Sequence, residues 1–152
     1  METRNFHFTS PEEIEAAFYT AFVQADTHTM EALWAKDEAL CVHPGSHVIK
    51  GFDAVVRSWA HIFTDAAPTD LKLRVIQRHR DGDFALLFLE VQISVRGSVV
   101  PAGIVIACNF FRNYEYGCFF VQHHASLIQS LHEGHTLQLV IFCHRSNNSK
   151  TG

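Results

Sequence analysis

At Pro68 the hydrophobic period of the chain changes, and that change limits the folds open to it. Upstream, apolar residues recur every three or four positions. Ile14, Ala17, Phe18, Ala21, Phe22 and Ala25 form one stripe, and Phe52, Val55, Val56, Trp59, Ile62 and Phe63 form another. Such spacing puts the apolar side chains on one face of a helix. Downstream the period falls to two. Leu71, Leu73 and Val75 alternate with Lys72 and Arg74, and residues 84–95, 99–112 and 118–127 read as three further strands. Helices followed by a run of four antiparallel strands imply an α+β fold. The helices are expected in the concave face of a curved, mainly antiparallel sheet, a cone-shaped roll.

Local signals set the joints. Ser10-Pro11-Glu12-Glu13 is a capping box with proline at the first helical position. Asp26-Thr27 restarts a short second helix carrying Met30, Leu33 and Trp34 on one side. Residues 39–43 are apolar and run into Pro44-Gly45, which reads as a strand ending in a turn. Asp81-Gly82 is a hairpin signal. At 152 residues one domain is expected, with a core over 10–127 and an extension over 128–152. The apolar run 137–142 in that extension reads as an edge strand, as a cover on the cone mouth, or as a loosely docked tail.

Composition excludes several classes. Hydrophobic residues make up 47% and charged residues 18%, too apolar for disorder. A net charge of -4 does not suit a nucleic-acid surface. The longest apolar runs, 84–89 and 103–108, fall far short of the roughly 18 residues of a membrane span, so no membrane partner is expected. Met1 opens no apolar leader, and the four cysteines form no C-x-x-C pair. Reduced thiols in a cytoplasmic protein are expected, with Cys41 and Cys108 buried. The 11 histidines lack metal-ligand spacing. Pro44-Gly45 separates His43 from His47, and His132-Glu133-Gly134-His135 is one residue short of H-E-x-x-H. No metal and no cofactor are expected. Lys72, Arg74, Arg78 and Arg80 read as an exposed strand face.

Three motifs carry a family likeness. The first is Asp26 with Leu33-Trp34. The second is Cys41-Val42-His43-Pro44-Gly45, followed by Gly51-Phe52 and Trp59. The third is Phe110-Phe111-Arg112, then Gln122-His123-His124-Ala125-Ser126. In this order they resemble the nuclear transport factor 2-like superfamily, the cystatin-like α+β cone, and within it the SnoaL-like branch of small bacterial proteins. The likeness covers residues 10–127. It implies a cone with an open end, in a superfamily that hosts isomerases, dehydratases, cyclases, epoxide hydrolases and association domains. Relatives such as ketosteroid isomerase carry an acidic base where this chain has His43. They carry a tyrosine where it has Phe18, and a protonated aspartate where it has Asn109. That steroid-isomerase set is absent.

The resemblance puts His43 at the cone interior, where a neutral imidazole is a candidate general base. Asn109 is a candidate oxyanion donor. Strict alternation on the last strand groups Gln122, His124 and Ser126 on one face. With the register of the isomerase relatives, that face is the pocket and His123 lies outside. Glu90 is a candidate partner for one of these histidines. Phe18, Phe22, Trp34, Trp59, Phe63 and Phe120 would line a pocket for a small hydrophobic molecule, cyclic or polyketide-like. The reaction class would be proton abstraction or hydration, of isomerase, cyclase or dehydratase type. Each polar residue also has a purely structural reading, as a partner for neighbouring backbone or side chains. The alternative function is a non-catalytic association module whose aromatics fill the cone and which forms a homodimer through its sheet face.

Overall fold

In a computed structural model, the structure describes residues 6–130. The element order is α1 (Pro11–Gln24), α2 (Thr27–Leu33), β1 (Leu40–Val42), β2 (Ile49–Lys50), α3 (Phe52–Asp65), β3 (Thr69–Asp81), β4 (Phe84–Val95), β5 (Gly103–Tyr114) and β6 (Gly117–Ser130). The expected cap starts α1. Ser10 Oγ accepts from the Glu13 amide at 3.3 Å, while the Glu13 carboxylate reaches past Ser10 to the Thr9 amide at 2.8 Å. The helix stops at Ala25, held at φ 52, whose N–H donates to the Ala21 and Phe22 carbonyls. Asp26 then caps α2 by accepting from the Thr29 amide at 3.1 Å.

The strands form one sheet in the order β2-β1-β6-β5-β4-β3. The pairings are antiparallel except β1 with β6, which is parallel. The apolar segment before Pro44 is therefore tied beside the last long strand, with Val42 opposite His124. β5 begins at Gly103 rather than at residue 99. The turn after β4 is closed by the Ser98 amide to the Val95 carbonyl and the Ala102 amide to the Ile93 carbonyl, and Pro101 has no N–H to pair.

The helices lie on the concave face. Phe120 is fully buried there. Its ring centroid is 4.9 Å from Phe18 of α1, 4.6 Å from Trp34 at the end of α2 and 4.8 Å from Phe111 of β5. Phe18 in turn meets Trp59 of α3 edge-on at 5.3 Å. These contacts join three helices to the sheet.

One irregularity decides which residues face inward. Phe110 pairs with Gln122, yet Phe111 pairs with Phe120, so Val121 is an extra residue in β6. A β-bulge of this kind inverts the alternation beyond it. Cys118 and Phe120 are buried before the bulge, and Val121, His123 and Ala125 are buried after it.

On the outer side, Arg74 pairs with Glu90 at 2.7 Å, so Glu90 holds an arginine and not a histidine. Beyond an extra residue at Ile76, Arg78 and Arg80 sit opposite Leu87 and Ala85 and turn to the helix side, where they reach Glu15 and Glu12 of α1 at 2.6 and 3.3 Å. Cys41 and Cys118 are buried free thiols, whereas Cys108 is only half-buried, on the outer face. Among the described residues no helix is long and apolar enough to cross a membrane. The run 137–142 and the His132–His135 motif lie outside the described residues.

Truncating Phe120 removes the contact that joins helices to sheet. Phe120→Ala is expected to lower unfolding stability by about 3–5 kcal/mol. His124→Ala, on the exposed face of the same strand, is expected to stay within about 0.5 kcal/mol. Urea denaturation of the two variants checks the contrast.

Candidate functional site

Three polar side chains meet at the wall of the cone. Asn109 sits in the middle of β5, fully buried. Its Nδ2 donates to the Tyr19 hydroxyl oxygen at 3.0 Å, and its Oδ1 lies 2.6 Å from His123 Nδ1. The amide oxygen can only accept, so His123 carries its proton on Nδ1. Two functions are left at the ends of this line. His123 Nε2 keeps a lone pair, and Tyr19 keeps a hydroxyl proton to give. Both residues line an inner cavity of about 30 Å³, enough for one or two waters. The rest of its lining is apolar, including Phe18, Phe22, Trp59, Val105, Ala107 and Ala125.

The electrostatics follow from burial. Desolvation, with a smaller push from the nearby His43 and His124, brings the His123 imidazole down to about 3. Burial pushes the Tyr19 phenol well above its ordinary value. At neutral pH the line is therefore uncharged from end to end.

His43 lies at a different place. Its ring meets Trp59 edge-on at 4.6 Å, and its Nε2 is 2.9 Å from Ser58 Oγ on α3. The Ser58 hydroxyl proton goes to the Val55 carbonyl at 2.7 Å, so His43 must donate to Ser58 through Nε2–H. The Nδ1 lone pair is left 3.8 Å from the Cys41 thiol. Burial pushes His43 down to about 4. Trp59 touches both rings, its centroid 5.7 Å from His123, and its indole N–H lies beside Cys41 without a good hydrogen bond.

The expected residues divide as follows. The structure brings Phe18, Trp34, Trp59, Phe120 and Asn109 into the buried interior, with Phe63 nearly so and Phe22 half-buried at its edge. His43 is buried but does not line the inner cavity. The expected positions of His124 and Gln122 are corrected. His124 is exposed, Gln122 shares its outer face, Ser126 is exposed with them, and His123 takes the inner position. The cause is the Val121 bulge, which strict alternation does not anticipate.

Tyr19 is absent from the sequence-level set because it falls just off the helical stripe through Phe18 and Phe22. The available signal is its place one residue from Phe18, where a slight widening of the buried arc brings its hydroxyl inside. Among the described residues, no three His, Cys, Asp or Glu side chains are grouped as they would be around a metal.

Two buried neutral histidines make stability depend on pH. As pH falls below about 6.5, the unfolded chain takes up protons that folded His43 cannot bind until about 4, nor folded His123 until about 3. Stability is complete above that window and is lost as pH drops through it, by on the order of 2–3 kcal/mol for each histidine near pH 4. Denaturation midpoints measured from pH 7 to pH 4 are expected to fall more steeply in the native chain than in His43→Gln. Parallel curves would remove His43 as a cause.

Comparison with known proteins gives the family. A family model described as a SnoaL-like domain matches residues 12–130. One similar solved structure is a candidate calcium/calmodulin-dependent protein kinase type II association domain from Thiobacillus denitrificans. It is 29% identical, with 82% of this chain and all of that chain covered and a TM-score of 0.78. Another is a candidate dehydratase of the NTF2-like family from Streptomyces avermitilis. It is 30% identical, covering 78% of this chain and 94% of that one, with a TM-score of 0.69. A ketosteroid isomerase-like protein from Erwinia carotovora shares the fold at 18% identity and a TM-score of 0.64, with 78% of this chain and 93% of that one covered. No match was found among the curated proteins. Matched over most of its length by the family model, the chain belongs to the SnoaL-like family of the NTF2-like superfamily.

Proposed function

We propose that the cone binds a small, uncharged, largely apolar molecule and shifts a proton within it, as an isomerase or dehydratase does. The Tyr19–Asn109–His123 line carries this reading, because it sets a proton donor and a proton acceptor on one wall of an otherwise apolar chamber. In this reading His123 Nε2 takes a proton from carbon next to a ligand carbonyl. The electron pair moves into the new C=C bond, and the oxygen that gains charge receives the Tyr19 O–H. The proton then returns to another carbon, giving an isomer, or to a departing hydroxyl, giving water and an alkene.

The low basicity of His123 narrows the chemistry. Such a base holds a proton at neutral pH only while a negative charge stands beside it. Shifts within one ligand meet that condition; net release of a proton to solvent does not. Asn109 orients both partners, and His43 fastens α3 to β1 through Ser58. This replaces His43 and His124 with His123 and Tyr19 as the reacting pair. The names of the dehydratase and isomerase-like neighbours favour the same reaction class.

The second reading, association, is compatible with the first. Leu86, Phe88, Ile104, Ile106 and Phe110 are half-buried on the outer sheet face, which is where a second copy of the chain would pack. A neighbour named as an association domain supports it. One domain over residues 1–152 and a cytoplasmic location with reduced thiols belong to the same reading.

Two measurements check these readings. In a fragment screen by ligand-observed NMR, hits are expected to be neutral ring ketones and phenols. Tyr19→Phe is expected to weaken them roughly tenfold, the loss of about 1.4 kcal/mol of hydrogen bonding. Hits that bind Tyr19→Phe unchanged would overturn the assignment. By sedimentation at micromolar concentration the native chain is expected to run as a dimer and Phe88→Glu as a folded monomer. A monomeric native chain would end the association reading.

A further inference from the structure

We propose that the Phe22 ring is the gate between an outer groove and the inner chamber, and that it fixes the size of ligand able to reach His123 and Tyr19. The inference rests on the pocket reading above and adds the specificity-determining residue to it.

The concave side holds two spaces. The outer groove, about 290 Å³, lies where α1 and α3 end, and Ile62, Phe63, Pro68, Thr69 and Arg96 are among its walls. The inner chamber is about 30 Å³ and carries the Tyr19 and His123 ends of the polar line. Phe22 lines both. By itself the chamber is too small for an aromatic ring, since an apolar cavity that holds benzene measures about 150 Å³. Joined to the groove it would enter the lower range of small-molecule pockets, about 300–1,000 Å³.

The packing singles out Phe22 as the side chain that can yield. Its ring leans edge-on against Trp59 at 5.8 Å and Phe63 at 6.2 Å. Trp59 is 2% exposed and Phe63 8%, while Phe22 is only half-buried on the last turn of α1. A rotamer change toward the groove costs Phe22 few contacts. The wall opposite is the sheet itself, built there of small residues, where Val91 pairs with Val105 and Ala107 with Ala125. Phe22 is thus the half-buried aromatic side chain that stands between groove and chamber.

The linings also define the ligand. The inner chamber holds no charged residue, so a charged group would be stranded there without a partner. Arg96 is the charged residue on the groove. The ligand class is a flat, uncharged apolar ring system with one hydroxyl or carbonyl at its leading end.

The test uses 2-naphthol, neutral at pH 7 and fluorescent, titrated against the native chain, Phe22→Ala, Phe22→Leu and Ile62→Ala. The His123 ring nitrogens are followed by NMR. Phe22→Ala is expected to bind at least tenfold tighter than the native chain and Phe22→Leu to fall between them, with His123 signals shifting as the probe saturates. Ile62→Ala, which changes the lining of the groove and not that of the chamber, is expected to weaken binding. If Phe22→Ala fails to fold, Phe22→Leu carries the comparison. Equal affinity in all Phe22 forms with His123 shifted in each overturns the gate and leaves the pocket standing. Tighter binding with His123 silent also overturns the gate, since the probe then stays in the groove. No binding by any form removes both the gate and the pocket.

Discussion

The contact between Phe120 and its aromatic neighbours is what the molecule is built around. A curved sheet encloses helices only if something on its concave face holds each of them. Phe120 does this by touching Phe18, Trp34 and Phe111 at once, with ring centroids within 5 Å. Aromatic rings suit the task because each buries a large area in a fixed orientation. Trp59 extends the cluster to α3 through Phe18. The indole N–H of Trp34 is buried there without a hydrogen-bond partner among the described residues, and that of Trp59 has only the Cys41 thiol beside it, without a good hydrogen bond. Each costs on the order of 1–3 kcal/mol, which the packing around it must offset.

Against this apolar wall the Tyr19–Asn109–His123 line stands out chemically. Three polar groups placed in such surroundings are stable only if they satisfy one another, and they do so as a relay with two free ends. The same burial that holds both histidines neutral makes His123 a hydrogen-bond acceptor rather than a cation. Reactivity at the cone thus follows from desolvation and geometry, with no ionised group in the chamber.

Much of the fold is legible from residue order. The stripe through Ile14 and Phe18, the box at Ser10-Pro11, the Asp26 cap and the Asp81-Gly82 hairpin act within a few residues of themselves, so sequence spacing suffices to find them. The strand β4 falls on the residues its alternation indicates. Less is legible where partners are distant. That β1 pairs parallel to β6 depends on how the chain returns across the sheet, which no local pattern encodes. The site divides along the same line. Asn109 is conspicuous as a polar residue in an apolar strand. Tyr19 is not, because its burial depends on how far α1 rolls against β5.

What the sequence by itself determined is the set of elements, their order and the apolar face of each, because helical and strand periods are properties of neighbouring residues. What only the tertiary structure decided is which histidine faces the cone. Side chains on a strand alternate with a period of two, so a single extra residue reverses every face beyond it. Val121 is that residue. It is extra only in relation to β5, where Phe110 and Phe111 are consecutive while their partners are not. The bulge belongs to a pair of strands rather than to one, and so His123 points inward and His124 to solvent.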